Sequence, residues 1–224
     1  GIGSRISPVP YVWYKFNERT FTMGSVVQDS SGSGFTGSRI DTIIDVVGKR
    51  HRAYNFDGIN SYVISDSIMD SISGSAPRSI SAWINTGHDA GSLMPVVSWG
   101  TSSGAGSEML LYINGSGIPT VDCGGGSIVG TIPVNDSDWH HITYTHPAHG
   151  SDINQGSLFI DGNLDSSISN SQIMNTFSGS RLTVGTRVSN IGNELFDGII
   201  DDVRVFGTSI GSRSVNRMYT SPLN

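Results

Sequence analysis

"FDGIIDDVRVF", residues 196–206, is the stretch on which the reading of this chain turns. Ile199, Ile200, Val203, Val205 and Phe206 give it the β-branched and aromatic content of a strand. Asp201 and Asp202 sit at its centre. Successive side chains of a strand point to opposite faces. Strict alternation places Asp201 with Val203 and Val205, and Asp202 with Ile200, Arg204 and Phe206. At least one carboxylate then lies among apolar neighbours, where it is costly unless it is paired or holds a cation. The stretch predicts a buried acidic site inside a buried sheet.

Outward from it, short apolar runs recur between Gly, Ser, Asn and Asp. Strand-like alternation marks "YVWYKF" (11–16), "YNFDG" (54–58), "SYVI" (61–64), "SISAWINT" (79–86), "MPVVSW" (94–99), "EMLLYI" (108–113), "HHITYTH" (140–146), "SLFI" (157–160) and "RLTVG" (181–185). Asn114-Gly115 and Asp161-Gly162 carry the chemistry of tight hairpins. About ten strands without a helical period between them predict an all-β, two-sheet antiparallel β-sandwich or jelly roll. "SRSVNRMYT" (212–220) is the one short helix expected. The reading is a linker or N-terminal extension over residues 1–10 and a single domain over 11–224.

Composition narrows the partners. The 224 residues are 36% apolar and 14% charged, with a net charge of −6. Lys15 and Lys49 are the only lysines, which argues against a phosphate-backbone partner. No apolar run approaches the length of a membrane span. Cys123 is the single cysteine and lies in "DCGGGS", so no intramolecular disulfide forms and a small loop residue is expected there.

In chain order, "WYKFNE" (13–18), "DSSGSGFTG" (29–37), "YNFDGINSYV" (54–63), "SISAWI" (79–84), "DWHHITYT" (138–145), "GSLFIDGNL" (156–164), "LTVGTR" (182–187) and the opening stretch resemble the concanavalin A-like, laminin-G-like domain family. The "WYKF…DSSGSG" opening also resembles laminin-G-like domains of large DNA virus structural proteins. The family resemblance implies a jelly roll that binds glycans or other proteins outside cells or on particle surfaces. Fold alone does not assign function, because catalytic and non-catalytic members share this sandwich.

The resemblance also implies a calcium site joining the early "DSSG" loop to the late "IDDV" strand. Carried over residue by residue, its ligands are Asp29 and Asp201 with carbonyls near Ser31 and Gly34; Asp202 competes for the strand position and Glu18 is a further ligand. Calcium takes six to eight oxygens from carboxylates, carbonyls and water, and its role here would be structural. Ser33, Phe35 and Thr36 stand where the family often has Asn or Asp. On the residues alone, Asp29 can instead open an Asx-turn, with Asp201 accepting hydrogen bonds or pairing with an arginine.

Four histidines, His140, His141, His146 and His149, cluster in "WHHITYTHPAHG". His140 and His146 share a strand face but lie too far apart to chelate one ion, so packing is the expected role. Glycosidic-bond chemistry needs facing carboxylates at a set separation, and Glu18, Glu108 and Glu194 are isolated in sequence. A sugar site generally uses an exposed aromatic with a polar rim. Of Trp13, Trp83, Trp99 and Trp139, Trp99 is the ligand-binding choice, because "GTSSGAGS" follows it. The expected function is a non-catalytic, lectin-like module on an extracellular or virion surface, within a larger polypeptide or assembly. Its partner is a glycan or a surface protein, with no nucleic acid and no membrane insertion. The alternative is an assembly domain without a glycan ligand; a glycan-active enzyme comes third.

Overall fold

The computed structural model describes residues 8–19, 25–41, 44–88, 91–165 and 167–221. Of the extension expected over 1–10, residues 1–7 lie outside the described residues. The strands are β1 (Val12–Tyr14), β2 (Val26–Val27), β3 (Gly37–Ile40), β4 (Ile44–Val47), β5 (Arg52–Asp57), β6 (Tyr62–Ile68), β7 (Arg78–Asn85), β8 (Met94–Gly100) and β9 (Glu108–Ile113). They continue as β10 (Pro119–Asp122), β11 (Ser127–Val129), β12 (Trp139–His146), β13 (Ser157–Ile160), β14 (Asn163–Leu164), β15 (Ile168–Asn170), β16 (Arg181–Val184) and β17 (Asp197–Phe206). Among the described residues one α-helix, α1, covers Ser212–Thr220.

Two antiparallel sheets form the expected sandwich. The first runs β14-β13-β12-β7-β17-β5-β4, with β1 also on β17; the second runs β15-β11-β10-β9-β8-β16-β6-β3-β2. Alternate residues fill the space between them: Ile80, Ala82 and Ile84 of β7, Ile142 and Tyr144 of β12, and Met109, Leu111 and Ile113 of β9 are buried in one core. The Asp161-Gly162 hairpin forms as expected, with φ of 51° and 77°. Asn114-Gly115 does not make a two-residue turn. The Asn114 carboxamide accepts from the Ser116 and Ile118 amides, and Gly117 takes the positive φ.

The outer face of the first sheet is not open. Phe206, Ile210, Val215, Met218 and Phe159 make a second apolar cluster that seats α1 against it. Arg50 clamps the helix end by donating to the Met218 and Ser221 carbonyls, where a cation also meets the negative end of the helix dipole.

A bulge corrects the alternation expected of β17. Asp201 faces Trp83 and Arg204 faces Ser81, so three steps on β17 match two on β7, and Asp202 takes a φ of 50°. One inserted residue turns both carboxylates to the outer face. Val203 and Val205 keep their places in the core.

Candidate functional site

The loops at the start of β7 enclose a cleft of about 370 Å³, within the size range of small-ligand sites. Its lining includes Ser73, Thr101, Ser103, Ser107, Asn175 and Phe177. Phe177 is 49% exposed. An α-carbon substituent on Gly179 would come within 2.7 Å of the Phe177 ring, so the bare glycine gives that ring a flat support. Asn175 is exposed and offers a free carboxamide among the described residues. The site is one aromatic face rimmed by hydroxyls and an amide.

Short backbone ties hold it open. Gly74 and Thr176 exchange hydrogen bonds, Asn175 N–H donates to Gly106 O at 2.8 Å, and Phe177 N–H donates to Ser107 O at 3.0 Å. Gly106 has a φ of 75°, and a side chain there would meet Ile173 O at 2.0 Å. The Ser107 hydroxyl bonds the Thr101 and Gly104 carbonyls. Beneath the floor, buried Arg78 donates to Ala76 O at 2.9 Å, Gly74 O at 2.8 Å and Thr176 Oγ1 at 2.7 Å. Desolvation lowers the Arg78 pKa to about 10, which leaves the guanidinium charged at neutral pH.

Trp99 is not the sugar platform. It is fully buried, and its indole N–H donates to Ile72 O at 3.0 Å under the same cleft. The loop that follows it does line the site. The exposed aromatic is Phe177, which sequence reasoning missed; the signal was an aromatic alone within "MNTFSGS", where no alternation calls for a buried residue.

The acidic residues do not form the shared cage either. Asp29 accepts from Trp13 N–H at 3.0 Å, Ser31 N–H at 2.9 Å, Ser31 Oγ at 2.7 Å and Phe35 N–H at 3.0 Å. Those four donors occupy the lone pairs that a cation needs. Burial works against the charge, but the hydrogen bonds from Ser31, Phe35 and Trp13 prevail and hold the Asp29 carboxyl below its usual range. Gly34 closes the loop at a φ of 73°. Asp201 accepts from Arg50 N–H at 2.7 Å, and Asp202 takes two hydrogen bonds from Arg204. Glu18 accepts from Gln28 N–H and Tyr54 OH. Among the described residues no group of three or more His, Cys, Asp or Glu is placed to hold a metal. Trp13 makes the join expected of the ion: its backbone N–H binds Asp29, and its indole N–H binds Asp202 at 2.6 Å.

A family model described as "Concanavalin A-like lectin/glucanases superfamily", of laminin G type, matches residues 57–216. The chain belongs to this superfamily. The search of curated proteins gives no match. Among solved structures, this concanavalin A-like chain is similar to domain 4 of AbnA, a GH43 extracellular arabinanase from Geobacillus stearothermophilus, in complex with arabinotriose. Identity is 16%, coverage is 94% of this chain and 98% of that one, and the TM-score is 0.66. It is also similar to the binding domain of Paraclostridial Mosquitocidal Protein 1, at 14% identity, covering 96% of this chain and 52% of that one, with a TM-score of 0.69. The botulinum neurotoxin serotype D binding domain matches at 14% identity, over 94% of this chain and 51% of that one, with a TM-score of 0.60. The chain spans about half of each toxin domain. At these identities the likeness is one of fold. The narrower viral resemblance finds no support among these matches.

The remaining polar clusters of the concanavalin A-like domain hold the sandwich together. His140 bridges Asp161 at 2.8 Å and Asp136 at 3.1 Å. His141 is buried against Trp83 and Tyr219, and desolvation drops its pKa to about 3. His146 contacts Tyr144 OH and Gly150 O. Glu108, isolated in sequence, is buried and held by Arg187 at 2.6 Å, with Glu194 at 3.5 Å from the same guanidinium. Cys123 is buried, and desolvation raises its thiol to about 11.

Proposed function

We propose that the domain is a non-catalytic carbohydrate-binding module that takes an uncharged oligosaccharide in the Phe177 cleft. The observation that carries this reading is the exposed Phe177 ring, supported on Gly179 and rimmed by hydroxyls and the Asn175 amide. A sugar stacks the C–H face of its ring on an aromatic while side-chain oxygens and amides take its hydroxyls. The AbnA domain, solved with arabinotriose, supports the ligand class, and the extracellular enzyme and toxin domains of like fold support action outside the cell. The non-catalytic part rests on Glu108 and Glu194 being bridged by Arg187 rather than facing an open bond.

The test is a screen of neutral oligosaccharides, arabinan fragments included, followed by calorimetry. Phe177→Ala should weaken binding of the best ligand at least tenfold, without lowering the thermal midpoint. Tight binding that survives Phe177→Ala and Asn175→Ala rejects the cleft. Silence across the screen favours an assembly module. Its specific support is the apolar edge of Leu164 and Ile168, 66% and 72% exposed; a partner protein would cover that edge.

A further inference from the structure

The other end of β7 carries a second cleft, of about 360 Å³, lined by Asn55, Asn85, Thr86, His88, Asp197 and Ile199 among others. Ile199 pairs with Asn55 on one side and Asn85 on the other. Cross-strand partners share a face, so two carboxamides flank an apolar floor. At the rim, Asp197 Oδ2 lies 3.1 Å from His88 Nδ1.

This site is built before any ligand arrives. Thr86 Oγ1 donates to Asp197 O at 2.7 Å and accepts from His88 N–H at 3.1 Å. Asn85 Nδ2 donates to Ser137 O at 2.7 Å. A carbonyl only accepts, so this bond fixes the amide orientation and leaves Asn85 Oδ1 without a partner among the described residues. Gly198 has a φ of 137°, and a side chain there would meet Asn85 O at 2.5 Å. The Asn55 side chain has no hydrogen-bond partner among the described residues.

The two clefts differ in chemistry. No charged residue lines the Phe177 cleft. In the second, the Asp197 carboxylate stands beside the Asn55 and Asn85 carboxamides, and no Phe, Tyr or Trp lines it. Such a site suits a ligand rich in donors and carrying positive charge. The chain's net charge of −6 favours the same ligand. An ammonium group offers three donors and no acceptor.

We propose that this second cleft binds amine-bearing sugars: the ammonium of a hexosamine unit on Asp197, its hydroxyls on Asn55 and Asn85, and its ring against Ile199. With the clefts at opposite ends of an eight-residue strand, about 25 Å apart at the rise of a β-strand, the domain is bivalent and its two sites differ in preference. The bivalence rests on the carbohydrate reading of the Phe177 cleft; the second site itself does not.

The experiment is titration of the isotope-labelled domain at pH 7 with glucosamine trisaccharide and, separately, with its N-acetylated counterpart, followed by backbone amide resonances. The free-amine sugar should shift Asn55, Asn85, Thr86 and Gly198 and leave Phe177 unmoved. It should bind at least tenfold more tightly than the N-acetylated form. Asp197→Asn should cost at least tenfold in that binding. Among the described residues the polar partner of the Asp197 side chain is the exposed His88, and the carbonyl that anchors Thr86 survives the change, so the variant should keep its thermal midpoint. Asn55→Ala gives an independent check, with a smaller loss. Phe177→Ala should leave this binding unchanged, so failure of one cleft is readable apart from failure of the other. Equal binding of both sugars, no shifts in this cleft, or full affinity in Asp197→Asn would each overturn the proposal.

Discussion

Two buried tryptophans, each beside an arginine, lie beneath two different surfaces of the molecule. Under the Phe177 cleft, Trp99 N–H has its carbonyl, and Arg78 spends its donors on the turn at residues 73–76 and on Thr176. Under α1, Trp83 Nε1, Arg50 Nε and Asp201 Oδ1 are buried without a hydrogen-bond partner among the described residues. Buried polar groups are nearly always satisfied, and each exception carries a desolvation cost. The first arrangement fixes one loop geometry. The second leaves a network whose stability depends on where its protons are.

The largest effect expected is at Arg78. Arg78→Met removes the hydrogen bonds to the part-buried Ala76 and Gly74 carbonyls and to the buried Thr176 hydroxyl together with the packing of a fully buried side chain, at a cost of about 3–5 kcal/mol. Urea unfolding should register it, and hydrogen exchange should speed at residues 73–76 and 101–107. A loss below about 1 kcal/mol would mean that the loops do not depend on this guanidinium.

Next comes Asp201, whose carboxyl burial raises to about 8. The folded state therefore binds this proton more tightly than the unfolded chain, where an aspartate titrates near 4. Its contribution is complete below that lower value, falls as pH rises towards 8, and is lost above it. Asp201→Asn should gain on the wild type by about 1–3 kcal/mol between pH 5 and pH 8.5. Parallel stability curves over that interval would remove the buried proton.

The smallest contrast is between the tryptophans. Trp99→Phe leaves Ile72 O unpaired and should cost about 1–2 kcal/mol more than Trp83→Phe, which discards a donor that already lacks an acceptor. Both lose comparable ring area, so the difference isolates the hydrogen bond. Equal losses would show that the two indole N–H groups are equally satisfied.

Alternation made most of the sandwich legible, because each strand with one face on the core carries its own record of which side is buried. β9 and α1 fall on the residues read for them, and β7 and β8 begin or end within a residue. β10, β11 and β15 were not read: they are short, and their Pro, Ser, Thr, Asp and Asn residues resemble loop. The bulge was illegible for another reason, since an inserted residue looks like any other member of a strand until its partner strand is known. Trp99 was misplaced because a Gly/Ser loop follows it, yet exposure begins only after the strand ends at Gly100. The Asp29 loop kept its alternative reading, an Asx-type turn, for want of a second carboxylate facing it.

The bulge in β17 also has a meaning for length variation. Without Asp202, Val203 would fall opposite Ala82 and Arg204 would remain opposite Ser81, a regular ladder with every core side chain in place. Asp202 is thus a supernumerary residue in the geometric sense, carrying the counter-charge for Arg204 and the anchor for the Trp13 indole. A single-codon insertion or deletion at this point would add or remove a buried charge while leaving the hydrophobic frame of the sandwich in phase.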